Sequence, residues 1–402
     1  MAAAALLYLG GEGDSAVRRV LQWRPLVLVG IISYSLYLWH WPLLTIARYS
    51  NGMEPIPQGG AWALFLVAMA LASASYRYVE TPFRKHGNDK AKLNGRQHLF
   101  ATSTAVMGLL GGAAVAVTQN QGWEDRFAPD VLAYDSARYP HIPFKDDCDG
   151  RWPDSRNPDC VIGDRDSEHL AILWGDSYAL AWAPGLDAML KAQGLRGILA
   201  VNSACPPLLG IHNPSDPGCH DDNNATHDWL AANKPDLIIM AAAWPAYSGP
   251  EGRYSIFDSE GRRGNVATFA PAFKRTSIVT GSLGKSVIII GPTPGAPADI
   301  PFKLAVAKTP PDGIRKDDFQ RMAQPFWTAA QYVEAFDNIV VIDTMSWFCD
   351  SRVCRYLDEQ GELLYRDGGH LSVLGADFVV ARLLSRLDTG SFYQPDFPSD
   401  LE

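Results

Sequence analysis

Two short stretches of this 402-residue chain carry residues whose types and spacing suit acyl chemistry. The first is Gly175-Asp176-Ser177, directly after the apolar run His169–Trp174. A serine on a tight turn that enters a helix has an exposed hydroxyl. The helix N-terminus beside it offers N–H donors and partial positive charge to a developing oxyanion. The same residues also suit a plain helix cap, because Ser and Asp are favoured there. The second stretch is Asp367-Gly368-Gly369-His370. A carboxylate three residues before an imidazole can hold its tautomer and stabilise the imidazolium formed when it takes a serine proton. A capping Asp next to a surface His has the same spacing. Together, Ser177 as nucleophile, His370 as base and Asp367 as its partner are the expected parts of an acyl-transfer site.

Such residues need a frame to bring them together. Five short, continuous apolar runs follow one another after residue 165: 169–174, 197–201, 236–241, 286–290 and 338–342. Runs of this kind read as strands buried on both faces, as in a parallel sheet. Helical stretches separate them, among them Tyr178–Gln193 and Pro325–Phe336. The alternation predicts an open α/β sheet with helices on both faces, and ligands in such sheets bind at the carboxyl ends of the strands. At those ends stand Val201-Asn202-Ser203, Ala242-Ala243-Trp244 and Asp343, the last of a type that usually caps a turn. Trp244 and Tyr247 could stack on a sugar ring. His212, His220 and His227 have loop-like spacing and read as solvated surface, and 249–268 reads as an exposed loop or hairpin.

The first part of the chain addresses a different solvent. Residues 26–47 carry no charge and are mostly large and apolar, and two further runs cover 59–76 and 99–118. Each is long enough to cross a hydrocarbon core of about 30 Å. The small residues Gly108, Gly111 and Gly112 suit close helix approach. His40 sits among Tyr37, Trp39 and Trp41, where an intramembrane ionisable group is a functional candidate and an aromatic belt the rival reading. Residues 1–10 read as the tail of a further apolar helix rather than a signal peptide, which suggests a membrane part shortened at its start.

Charge orients these helices. The net charge of −9 hides a split, since residues 1–118 hold ten Lys/Arg against five Asp/Glu and the remainder 25 against 39. Six of the ten lie in 77–96 and three in 18–24, so the positive-inside rule puts those segments in the cytoplasm and everything after residue 120 outside. The acidic outer part argues against nucleic acid as a partner. It also holds all six cysteines, Cys148, Cys160, Cys205, Cys219, Cys349 and Cys354, where disulfides persist. Local spacing favours pairing them in that order, although fifteen pairings are open, and no pattern suggests a metal site.

Gly175-Asp176-Ser177 and Asp367-x-x-His370 resemble the first and last motifs of the SGNH (GDSL-like) esterases and acyltransferases. Ser203-Ala204-Cys205-Pro206-Pro207 and Cys349…Cys354 are similar to the variant of that domain fused to membrane acyltransferases. Ile32–Pro42 (ISYSLYLWHWP) and Tyr76–Arg84 (YRYVETPFR) resemble the last helices of the acyltransferase-3 family.

The resemblance implies a multi-domain architecture. The C-terminal transmembrane helices of an acyltransferase-3 domain fill 1–120, a periplasmic linker 121–165, and a flavodoxin-like, three-layer SGNH domain 166–390. It further implies a multi-pass protein of the bacterial inner membrane with its C-terminal domain in the periplasm. The implied activity is transfer of an acyl group, usually acetyl, to a hydroxyl of a surface or periplasmic polysaccharide such as lipopolysaccharide. No cofactor is expected on the chain itself; the acyl donor derives from acetyl-CoA, and a separately encoded N-terminal acyltransferase part is a further expected partner. Two rivals share the motifs: a membrane-anchored carbohydrate esterase with the same triad, and a non-catalytic glycan-binding remnant. The family also often offers a Gly and an Asn as oxyanion donors after the second and third strands. That pattern is missing here, which leaves the Ser177 N–H, with Asn202 or Ser203, for the role.

Overall fold

The computed structural model describes residues 16–52, 55–81, 93–137, 142–150, 160–249, 254–258, 260–262, 265–296, 299–306, 313–333 and 336–388. The apolar tail 1–10 and the basic stretch 82–92 lie outside them, and the loop 249–268 is described only in part. The chain divides into two compact units whose main boundary falls between Ala128 and Pro129.

In the first unit, helices α1 (Arg24–Ser50), α2 (Gln58–Ser75) and α3 (Leu93–Gln119) carry the three expected apolar runs, the second ending one residue into a π turn. Arg24–Ser50, Gln58–Glu80 and Phe100–Gln119 are long and apolar enough to cross a membrane. Their large side chains face outward, Leu28, Leu38, Leu66, Leu109 and Leu110 among them. Such surface suits lipid, and a helix satisfies its own backbone there. α1 and α2 pack together and bury Ile32 and Ser35, Ala68 and Ala72, where small side chains permit close approach. The Ser35 hydroxyl donates to Glu80 at 3.2 Å, where the end of α2 widens into a π turn at Tyr76–Glu80.

The second unit is built on a six-stranded sheet. Its strands are β1 (Val161–Gly163), β2 (Leu170–Gly175), β3 (Arg196–Val201), β4 (Leu237–Ala241), β5 (Ser286–Ile290) and β6 (Ile339–Ile342). They lie in the order β1-β3-β2-β4-β5-β6. β2 to β6 are parallel, as the apolar runs predict, and their order is the flavodoxin-like one. β1 is a difference from an all-parallel sheet: it pairs antiparallel with β3 and comes from the segment expected as a linker. Three residues are too short for a periodicity to show, and the Cys148–Cys160 bond anchors the chain just before them.

Alternate strand residues enter separate cores on the two faces. Ala171, Leu173, Ile239 and Ile288 join one, and Ile172, Trp174, Ile238 and Ile289 the other. The first core is covered by α4 (Ser177–Ala192) and the C-terminal helix Val373–Asp388, which pack on each other. The second is covered by Asn265–Leu283 and Lys316–Ala330, through Phe269, Phe273 and Phe326. The topological switch point therefore lies between β2 and β4, where neighbouring connections leave toward opposite faces.

Candidate active site

Ser177 is the first residue of α4, one residue beyond the end of β2 and beside the switch point. Gly175 allows the tight passage: a Cβ there would stand 1.8 Å from the Ala241 carbonyl oxygen and 2.7 Å from Ala179 Cβ. Asp176 caps α4, accepting the Tyr178 N–H on Oδ1 at 2.8 Å. Its Oδ2 accepts the Ala243 N–H at 3.0 Å and the Tyr247 hydroxyl at 2.8 Å. This carboxylate thus ties the serine turn to the chain leaving β4. Burial raises its pKa from the ordinary carboxylate value, against the pull of those three donors and of His370.

The C-terminal motif meets the serine from the other side. His370 Nε2 lies 2.7 Å from Ser177 Oγ, and His370 Nδ1 lies 2.7 Å from Asp367 Oδ2. A carboxylate can only accept, so the neutral imidazole carries its proton on Nδ1 and leaves Nε2 to receive the serine proton. Asp367 Oδ1 accepts the N–H groups of Gly369, at 2.9 Å, and of His370, at 2.8 Å. Burial alone pushes the Asp367 carboxyl up, but the His370 ring N–H and charge, with the two backbone donors, outweigh it and hold the group at about 2. Arg366, nearly buried, places Nε 4.0 Å from Asp367 Oδ2. The Tyr178 ring rests on the imidazole, with centroids 4.6 Å apart. It passes so close to the loop that a Cβ on Gly369 would lie 1.8 Å from the Tyr178 hydroxyl oxygen.

Two expectations for neighbouring residues are corrected. Asn202 and Ser203 have their donors engaged elsewhere. The Asn202 side-chain amide donates to Asp216 at 2.8 Å and Asp222 at 2.6 Å, and its backbone N–H to Gly175. The Ser203 N–H and hydroxyl both donate to Asp149, at 2.7 Å each. Neither residue keeps a donor for an oxyanion. The Ser177 N–H has no partner among the described residues and points from the start of a 16-residue helix. Trp244 and Tyr247 are fully buried and present no face to a sugar. The Trp244 Nε1–H donates to the Ile290 carbonyl at 2.6 Å amid Phe269, Phe273 and Phe326, while Tyr247 serves Asp176. Aromatic residues after a strand end are as suited to a core as to a ligand, and spacing does not separate the two.

The remaining candidates stand in other settings. Asp343 caps the turn after β6 by accepting the Met345 N–H at 2.8 Å. His212 and His220 stack on each other beside Asn224. The six cysteines form 148–160, 205–219 and 349–354. His40 belongs to the first unit, where its Nδ1 lies 2.8 Å from the Tyr37 carbonyl oxygen and its ring lines an interhelical cavity of about 950 Å³ with Tyr37 and Arg48. A larger cavity of about 990 Å³ has Tyr178 and Gly368, the chain neighbours of Ser177 and Asp367, in its wall, while the three relay residues themselves do not line it. Sequence reasoning singled out neither Tyr178 nor the double role of Asp176; the Gly-Asp-Ser turn was the one signal for the latter.

The second unit also matches a known family. Residues 145–385 match the family described as an SGNH domain fused to AT3 domains. The O-acetyltransferase OatA of Staphylococcus aureus (strain MRSA252) is 35% identical over 98 residues, 24% of this chain and 16% of that protein. The peptidoglycan O-acetyltransferase OatA of Listeria monocytogenes is 34% identical over 76 residues, 18% of this chain and 12% of its own length. The alignments thus span less than a fifth of these relatives. The periplasmic domain of the Salmonella ser. Paratyphi A lipopolysaccharide acetyltransferase is 17% identical, with a TM-score of 0.46, over 65% of this chain and 98% of that domain.

Proposed function

The chain belongs to the family of SGNH domains fused to AT3 domains, and from that premise we propose that it moves an acetyl group onto a hydroxyl of a cell-envelope glycan. The observation that carries the proposal is the unbroken relay Asp367–His370–Ser177, with both contacts at 2.7 Å, at the N-terminus of α4. The names of the relatives, O-acetyltransferase and peptidoglycan O-acetyltransferase, support acetyl as the group and a glycan as the acceptor.

In this reading His370 Nε2 takes the Ser177 proton as Oγ attacks the carbonyl carbon of an acyl donor. Asp367, ionised throughout the working range, holds the ring and stabilises the imidazolium. The Ser177 N–H and the positive end of α4 stabilise the oxyanion of the tetrahedral intermediate. The leaving group departs with the proton from His370, and Ser177 carries the acetyl ester. A glycan hydroxyl, its proton passing to His370, then attacks the ester carbonyl; the bond to Oγ breaks and Oγ regains a proton. Water in place of the sugar gives the esterase reaction with the same residues.

The three spans and the disulfide-bearing second unit support a multi-pass protein with that unit on the non-cytoplasmic side of the inner membrane. The acyl donor, derived from acetyl-CoA, reaches the serine through an acyltransferase part carrying further helices.

The test uses the full chain in detergent with p-nitrophenyl acetate. The expected result is hydrolysis that falls by about 10³-fold or more in Ser177→Ala, with unchanged folding. Equal activity in that variant removes Ser177 from the reaction. Adding a glycan oligomer diverts acetyl from water to sugar; release as acetate alone favours the esterase.

A further inference from the structure

The cavity beside the relay has a wall that the catalytic residues do not explain. It runs from Tyr178 and Gly368 past Ala243 and Pro245 to the outer face of the helix Lys316–Ala330, which contributes Asp318, Arg321 and Met322. At about 990 Å³ it stands at the upper end of the range of about 300–1,000 Å³ that ligand clefts occupy. Its charged residues, Asp318 and Arg321, form an ion pair with each other, so the described lining offers no unmatched charge. The remainder is largely apolar, with Met322 about half exposed. One polar group stands out. Thr293, on the loop after β5, is 8% exposed and lines the cavity, yet its hydroxyl has no hydrogen-bond partner among the described residues. Thr293 Oγ1 is not among the buried unpaired atoms, so the hydroxyl opens to the cavity, where a ligand can pair with it.

We propose that this cavity is the acceptor subsite, that it receives an uncharged sugar ring, and that Thr293 hydrogen-bonds one of the sugar's hydroxyls while Met322 packs on the ring. The inference rests on the acetyl-transfer reading and adds to it the class of acceptor and the residues that select it. Continuity supports the assignment: Tyr178 lines the cavity and packs on His370, so a ring held there brings a hydroxyl to the side of the acetyl-serine where the base stands. Among the described lining residues the one cation, Arg321, is paired with Asp318, which favours an uncharged sugar over an anionic one. The chemistry is the second half-reaction: the sugar oxygen bonds to the acetyl carbon, the bond from that carbon to Ser177 Oγ breaks, and the sugar proton passes through His370 Nε2 to Oγ.

The experiment compares two reactions of the full chain in detergent: hydrolysis of p-nitrophenyl acetate, and transfer of its acetyl group to chitotetraose or to tetragalacturonate. Thr293→Val removes the hydroxyl at nearly constant shape, and Met322→Asp places an unmatched charge in the wall. Both variants are expected to keep hydrolysis within about twofold. KM for chitotetraose is expected to rise about threefold or more in Thr293→Val and about tenfold or more in Met322→Asp. Tetragalacturonate is expected to be the poorer acceptor of the wild type. Unchanged transfer in both variants, equal use of the anionic sugar, or absence of transfer to chitotetraose in a chain that hydrolyses the ester each overturns the subsite. Absence of Ser177-dependent hydrolysis in the wild type instead overturns the acetyl-transfer reading beneath it. A second measurement covers a variant that fails to fold. All six cysteines are in disulfides, so Met322→Cys introduces a lone thiol. Saturating chitotetraose is expected to slow its alkylation by N-ethylmaleimide, and an unchanged rate overturns the inference.

Discussion

The Tyr247 hydroxyl donates to Asp176 Oδ2 at 2.8 Å, so a side chain from beyond β4 holds the carboxylate that caps the serine helix. The serine turn is thereby fastened to the neighbouring strand at the point where the sheet opens, and Ser177 meets His370 from a fixed direction.

Tyr247→Phe removes one donor from a buried, raised-pKa carboxylate and leaves the rest of the ring in place. A loss of about 1–3 kcal/mol of stability is expected, read from urea unfolding, together with slower ester hydrolysis. Stability equal to the wild type would show that Asp176 does not depend on this contact.

Asp367 is held at about 2, below its ordinary 3.8. A depressed carboxylate contributes stability that is complete above its unfolded value and is lost as pH falls through its folded one. The advantage of the wild type over Asp367→Asn is therefore expected to be full above about pH 4 and to shrink as pH falls toward about 2. Melting temperatures of both proteins across that range check the sign, and a gap that widens on acidification contradicts it. At neutral pH the variant is expected to lose about 10³–10⁴-fold in kcat, because the imidazole loses its fixed tautomer.

The two glycines of the site differ in what blocks a side chain. At Gly175 the obstacle is the Ala241 carbonyl oxygen of a paired strand, which cannot move aside. Gly175→Ala is expected to destabilise the domain by at least about 1–3 kcal/mol and to lower the folded yield. At Gly369 the obstacle is the far end of the Tyr178 side chain. Gly369→Ala is expected to fold and to turn over slowly, since Tyr178 must leave the His370 ring. Circular dichroism paired with ester hydrolysis separates the two outcomes.

The disulfides close loops of unequal length. Cys205 and Cys219 are 14 residues apart, and Cys349 and Cys354 only five. Replacing Cys205 and Cys219 together by Ser is expected to cost about 3 kcal/mol, and the same change at Cys349 and Cys354 less, if constraint of the unfolded chain dominates. Thermal unfolding of both double variants gives the ranking.

The five parallel strands were readable because each is buried on both faces and so appears as a continuous apolar run, such as Ser286–Ile290. The three long N-terminal helices were readable because each is apolar on every side over a length that suits a bilayer. β1 was not, since three residues bounded by a disulfide carry no period. The relay was readable because Asp367 and His370 share one turn and Ser177 follows a strand end, so the α/β topology brings them to the same edge.

Partner choice among polar groups was a different matter. Asn202 and Ser203 stand where donors are expected, yet Asp149, Asp216 and Asp222 take them, and those acids lie up to 54 residues away in sequence. Trp244 and Tyr247 have the composition of a sugar platform and the burial of a core.

From sequence alone came the membrane spans, the order of elements, the cysteine pairs favoured by local spacing and the chemical identity of the relay. All of these depend on residue type and short-range pattern. The tertiary structure decided which donors remain free among the described residues, that Asp176 and Tyr247 form a clamp, and that a cavity lined by Thr293 opens beside Tyr178 and Gly368. A hydrogen bond is made by whichever groups the packed chain brings within about 3 Å, and that distance is set by contacts remote in sequence.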